Sequence, residues 1–386
     1  MEVKKVNRKI HSDRIKSARE SKGLTIRAIA DKLNISHQMI SKYEKGDAIP
    51  TPEVMFNLMS ILGQPYEYFY KQPNNSVDGL VYYRSNANAT QKMKRVHQIK
   101  ISWLMEIVSD LENIVEFPTP NIPFEHNKTL DYFEPTDSDT IEHIALELRK
   151  HWGLNKGPIS NLTRLLEKQG IIVSAIKSSN YYVDACSAWD ENNRLFILIG
   201  NKRAAPSRIK FTLAHELGHA ILHKNVPMNE FNKKDVYKRM EKEANSFASA
   251  FLLPAETFSQ ELISHSLDYF RMLKRRWQLS IQAMVYRAKE LEIINEYQSS
   301  YLWKKIAKNG WKLNEPDDEF LKEEAPYIIR EAIELIIEHD VMRKQELKSI
   351  FAFNEEDLVL LANLETNYFS VNRVMDNVIS FKRQRR

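Results

Sequence analysis

Along the first seventy residues, apolar positions come in short helical runs separated by residues that end helices: Gly23, Asn34, Gly46 with Pro50 and Pro52, and Gly63 with Pro65. This pattern predicts five short helices. A stretch rich in turn formers follows at 71–79. Over 90–116 the apolar positions Met93, Val96, Ile99, Trp103, Leu104, Ile107, Val108 and Leu111 keep helical spacing, which predicts one long amphipathic connector. Phe117 and Pro118 end it, and prolines interrupt the chain through Pro135. The period then becomes mixed. Residues 140–152 and 159–169 read as helices, whereas 170–176 and 194–200 read as strands, with turn chemistry at 190–193, an α+β pattern. From Ala205 the chain reads as helical again. Gly310 and Glu315 with Pro316 break it before a C-terminal helical tail, in which 327–337 form an amphipathic stripe.

Composition narrows the class. A chain of 386 residues exceeds the usual ~100 to 200 of one domain, so two or three domains are expected. With 43% hydrophobic residues and only 10 glycines it is neither collagenous nor disordered. The longest apolar runs, such as 195–199, are far shorter than the ~18 to 20 residues that cross a bilayer, so no membrane partner is expected. The basic start lacks the apolar region of a secretory signal. One cysteine, Cys186, allows neither an internal disulfide nor a cysteine-rich zinc cage. A cytoplasmic location fits these features. The net charge of +5 does not by itself identify a polyanion partner, but residues 1–70 hold 12 Lys and Arg against 8 Asp and Glu.

That local excess coincides with a motif. Residues 25–33, a tight turn at 34–36 and residues 37–46 give two short helices, with Ala28, Ile29, Leu33, Ile35 and Ile40 as the buried set. This is helix-turn-helix spacing. Ser36 can cap the second helix, and Ser36, His37, Gln38, Ser41 and Lys42 are the side chains that would meet double-stranded DNA. The rival is a helical bundle that binds protein. Residues 10–70 resemble the Xre or lambda-repressor-like family, following its pattern through Tyr43, Glu44, Gly46 and Pro50. They depart from it at Ile26, where that family commonly has a glutamine on a phosphate. Such proteins pair on two-fold sites, which makes a homodimer an expectation.

The strongest chemical signal is His215-Glu-Leu-Gly-His219. Two histidines at i and i+4 on one helix face can share a zinc ion, and Glu216 between them is placed to take a proton from a water molecule. A third ligand is needed. Glu241 is the choice, with Asn245 one turn on orienting a histidine, and Glu243 the fallback. His223, one turn past His219, reads as packing or as a support to the ligands. The alternatives are a buried helix whose histidines are satisfied by carboxylates, and an intact site that is catalytically quiet. The two segments 207–223 and 240–254 together look like the paired signature of ImmA/IrrE zinc metallopeptidases, a likeness that extends over about 80–295. It implies a gluzincin-like site with one zinc per chain on His215, His219 and Glu241, Glu216 as general base and acid, and a repressor as the protein substrate.

The weaker signals are several. Tyr181, Tyr182, Tyr237 and His223 are candidates for an oxyanion partner. Cys186 reads as a buried structural thiol, and Asp184 as either a turn former or a group near the cleft. Lys92, Lys94, Arg95 and Lys100 read as a solvated helix face more readily than as phosphate contacts. The basic end at 381–386 reads equally as a non-specific polyanion contact and as a frayed terminus.

The expected architecture is therefore multidomain. It comprises an all-α helix-turn-helix domain at 1–72, a linker and long amphipathic helix at 73–135, an α+β zincin-like metallopeptidase domain at 136–298, and a helical C-terminal region at 299–386. The leading function is a DNA-binding zinc metallo-endopeptidase in a stress, phage or mobile-element circuit. Its rival is a transcriptional regulator whose metallopeptidase-like domain senses metal or ligand without cleaving, as in a toxin-antitoxin or phage-defence component.

Overall fold

Local sequence decides where the first helices begin and end. In the computed structural model, which describes residues 9–73, 82–85, 90–123, 132–176, 183–200, 205–231 and 233–370, the five expected helices are α1 (Ser12–Ser21), α2 (Ile26–Leu33), α3 (His37–Lys45), α4 (Pro52–Leu62) and α5 (Tyr66–Tyr70). Thr25, Ser36 and Thr51 each accept a hydrogen bond from the amide three residues on, satisfying a donor that the helix start leaves open. Asn34, Gly46 and Gly63 close the other ends in the left-handed conformation, at φ 52°, 80° and 66°.

The next elements are β1 (Tyr82–Ser85), α6 (Gln91–Glu112), α7 (Ser138–His151), α8 (Leu162–Lys168), β2 (Ile172–Ala175), β3 (Val183–Trp189) and β4 (Leu195–Ile199). The strands form one sheet in the order β1-β3-β4-β2, with β2 parallel to β4 and the other pairs antiparallel. The expected strands at 170–176 and 194–200 are β2 and β4. The partners β1 and β3 went unpredicted. β3 and β4 form a hairpin whose turn is fixed by the Asp190 carboxylate, which accepts from the amides of Asn192 and Arg194 at 2.9 and 2.7 Å, with Asn193 at φ 57°.

Both faces of the sheet are covered, which is why β2 and β4 read as continuous apolar runs instead of alternating ones. Alternate residues enter separate cores. Val173, Ala175, Leu195 and Ile197 join one cluster, and Ile172, Cys186, Phe196 and Leu198 join the other. The first core is completed by α9 (Pro206–Leu222), α11 (Lys234–Leu252), α12 (Ala255–Glu261), α13 (Leu267–Trp277), α14 (Ile281–Glu290) and α15 (Glu296–Lys308), while α10 (Met228–Phe231) joins a small separate cluster through Phe231. The second core runs from the sheet through α6 into the N-terminal helices and takes in α16 (Ile328–Glu338), α17 (Lys344–Phe351) and α18 (Glu355–Leu361).

Helix α6 is therefore more than the connector its spacing suggests. His97, Lys100 and Glu106 are buried along with its apolar face, and the two charged groups each meet an opposite charge. Glu106 accepts two bonds from Arg14 of α1, at 2.7 and 2.9 Å. Lys100 pairs with Asp357 of α18, which also accepts from Gln64 at 2.7 Å. Arg95 donates to Glu20 at 2.6 Å. The 327–337 stripe is likewise internal: Ile329, Ala332, Ile333 and Ile336 pack in this second core. The basic end at 381–386 lies outside the described residues. Among those residues, no helix is long and apolar enough to cross a membrane.

Candidate metal centre and nucleic-acid face

Helices α9 and α11 lie side by side, and one glycine sets how closely. At Gly218 a Cβ atom would stand 3.0 Å from Phe247 Cδ1 and 3.2 Å from the Ala244 carbonyl oxygen. The glycine of the His-Glu-Leu-Gly-His motif is thus the point where α11 rests on α9, and this approach carries Glu241 to the two histidines. Two buried arginines hold the far end of α11. Arg149 donates to the Phe251 carbonyl at 2.5 Å, and Arg287 to that of Leu253 at 3.0 Å. Burial without a facing carboxylate lowers the Arg149 pKa to about 10.

His215, Glu216 and His219 are buried, whereas the Glu241 side chain is 24% exposed. One ligand atom from each of His215, His219 and Glu241 lies within 4.8 Å of the others. The closest approaches are His215 Nε2 to Glu241 Oε2 at 3.6 Å and His219 Nε2 to Glu241 Oε1 at 3.3 Å. Donors about 2.1 Å from a tetrahedral zinc ion stand about 3.4 Å apart, and the two approaches, one to each oxygen of Glu241, are close to that separation.

The outer nitrogens of the histidines are committed elsewhere. His215 Nδ1 lies 3.0 Å from Asn245 Oδ1, to which it donates. His219 Nδ1 lies 2.9 Å from His223 Nδ1, and His223 Nε2 lies 3.1 Å from Glu243 Oε2. The other oxygen of Glu243 accepts from Arg239 Nε at 2.7 Å and from the Thr136 amide at 3.1 Å. A carboxylate that accepts on both oxygens requires His223 to donate from Nε2, so its Nδ1 accepts and His219 Nδ1 donates. Both histidines then present the Nε2 lone pair toward Glu241, the tautomer a metal needs. Burial lowers the His223 pKa to about 4, which keeps that ring neutral.

Glu243, the fallback ligand, is directed to His223 instead. The second glutamate and the third histidine of the sequence reading form a support under His219. Sequence reasoning missed Ser187 of β3, whose hydroxyl donates to Glu216 Oε2 at 2.5 Å. No local signal announces a contact between a strand and a helix residue 29 positions later. Neighbouring Cys186 faces the second core, where burial, with Glu216 adding to it, raises the thiol pKa well above its ordinary value. Among the oxyanion candidates, His223 is committed to Glu243, and Tyr237 stands one turn before Glu241 with Lys94 Nζ 5.9 Å from its ring centre. Tyr181, Tyr182 and the side chain of Asp184 lie outside the described residues.

On the N-terminal helices the Ser36 hydroxyl caps α3 through the Met39 amide at 3.2 Å. His37, Gln38 and Lys42 are exposed and Ser41 is partly exposed. Tyr43 and Glu44 are buried, the latter bridging to Arg19 with bonds of 2.6 and 2.8 Å that tie α1 to α3.

Residues 15–69 match the family model described as helix-turn-helix, and residues 166–289 match that of the IrrE N-terminal-like domain, a peptidase family. The second match runs from the end of α8 into α14, a narrower stretch than the 80–295 of the sequence resemblance. No curated protein matches the chain. The chain thus joins an Xre-like helix-turn-helix domain to an ImmA/IrrE-type peptidase domain.

Proposed function

We propose that the protein is a DNA-binding zinc metallo-endopeptidase that hydrolyses a peptide bond in a regulatory protein, with a repressor as the substrate. The observation that carries this reading is the convergence of His215 Nε2, His219 Nε2 and Glu241, each histidine fixed by a bond to its other nitrogen. A zinc ion held by these three residues supplies a Lewis acid and brings the pKa of a water molecule toward ~7. Glu216 is the group that moves the proton. Ser187 holds Oε2, and the reading puts the proton on Oε1 as the water oxygen adds to the scissile carbonyl. The C–N bond breaks when Glu216 returns that proton to the amine nitrogen, so water is divided between the two product ends. The DNA-binding domain brings this site to its operator or partner, and a homodimer matches two-fold operators.

The regulator reading, in which the site senses metal without cleaving, draws on a different observation. The second core is continuous from the sheet to the DNA-binding helices. Elemental analysis of the purified chain beside His215→Ala and Glu241→Ala tests the centre. About one zinc per chain, lost in both variants, is expected, and no metal even when zinc is supplied sinks the reading. Glu216→Gln separates the two functions. Lost activity in cells with zinc and DNA binding intact supports cleavage, whereas retained activity leaves the regulator.

A further inference from the structure

The first turn of α6 stands beside the DNA-binding helices, and the four basic residues of that helix have different fates. Lys100 is buried on Asp357. Arg95 is held by Glu20 and Gln98. Lys94 lies over the Tyr237 ring. Lys92 is exposed and makes no hydrogen bond or ion pair among the described residues. It lies across the α1–α2 turn, so close that a Cβ atom on Gly23 would be 2.7 Å from Lys92 Cε, at a position whose φ of 61° already favours glycine.

Between α6 and the starts of α2 and α3 runs a groove of about 980 Å³. Ser36, His37 and Ser41, on the exposed start of α3, lie along it. Its charged lining comprises Arg19, Arg27, Lys92 and Arg95 against Glu20 and Asp31. Glu20 is already neutralised by Arg95 at 2.6 Å and approached by Arg19 at 3.4 Å. With Arg19 paired to Glu44, the exposed charges of the lining are Arg27 and Lys92 against Asp31, a net positive excess of one. The side chain of Ile26, the first residue of α2, offers no donor to the groove.

We infer that this groove takes a DNA backbone and that Lys92, from outside the helix-turn-helix domain, neutralises a phosphate beside the bases met by α3. The inference rests on the DNA-binding reading. A phosphate contact carries no sequence information, so its mark is salt dependence.

The test is anisotropy of the full chain on a labelled duplex of mixed sequence, measured across a series of salt concentrations. Lys92→Ala should lower the slope of log affinity against log salt by about 0.9, equivalent to about eightfold weaker binding at ~0.1 M salt relative to ~1 M. Lys92→Arg should keep the slope, and Lys94→Ala should leave it unchanged. If Arg27→Ala lowers the slope while Lys92→Ala does not, the duplex binds without α6, and the inference falls while the DNA-binding reading stands. If the unaltered chain binds no duplex, both fall.

Discussion

Replacing Asn245 by alanine tests the metal centre without touching a ligand. Asn245 stands one turn from Glu241 on α11 and accepts the Nδ1 proton of His215 at 3.0 Å. Without it, neutral His215 chooses between two tautomers and two ring orientations, and only one combination presents Nε2 correctly. Each twofold choice costs about 0.4 kcal/mol, and the lost hydrogen bond adds about 1 kcal/mol. The total of about 1.8 kcal/mol corresponds to about 20-fold weaker zinc binding, inside the 10- to 100-fold range of such supporting contacts. Competition against a chromophoric chelator on the full chain measures it. Asn245→Asp, which restores the acceptor, should recover the affinity. A change under about threefold in Asn245→Ala refutes the orienting role. Complete loss of zinc also refutes it, because Asn245 would then be a ligand.

Three further outcomes follow from other contacts. Gly218→Ala gains about 1 kcal/mol of helix propensity but crowds a backbone oxygen that only α11 as a whole can relieve, so thermal stability should stay nearly constant while zinc affinity drops severalfold; parallel melting and chelator titrations separate the two. Glu106→Ala leaves Arg14 buried without its carboxylate and should cost about 3 to 5 kcal/mol in urea unfolding followed by tryptophan fluorescence. At Asp317, hydrogen bonds from Arg271 and then Arg275 hold the carboxyl well below the usual carboxylate range. Its stabilisation is present above the unfolded value of ~3.9 and disappears as pH falls through the lower folded value; Asp317→Asn should therefore lower the melting temperature at pH 7 and converge with the unaltered chain in acid, as a melting series across pH would show.

What could be read in advance divides by distance along the chain. The N-terminal helices were legible because their caps lie within three residues of the amides they satisfy. The candidate cluster was legible as far as each helix goes, because His215 with His219, and Glu241 with Asn245, are each one helical turn apart. The sheet was half legible. β2 and β4 are continuous apolar runs, but β3 is the mixed sequence Val-Asp-Ala-Cys-Ser-Ala-Trp, whose strand character comes from pairing with β1 and β4 and from two different helices on its faces.

Helix α6 shows why the remainder was hidden. Its polar residues satisfy the spacing of a solvated face, yet Arg95, Lys100 and Glu106 are matched by residues 75, 257 and 92 positions away. A buried ion pair and a solvated charge look alike in sequence; only the partner distinguishes them, and no period encodes a partner that distant. The consequence is functional. The helix-turn-helix domain has a local code sufficient to fold its own turns, but Arg14 to Glu106 and Gln64 to Asp357 fasten it to α6 and to the C-terminal helices. With those bonds made, the DNA-binding face is set at one orientation to α6, and α6 lies against the sheet whose Ser187 reaches Glu216. A chain built this way carries its two chemistries on one continuous packed body, so a substitution that breaks the buried pairs of α6, at Lys100 or Glu106, should register at both.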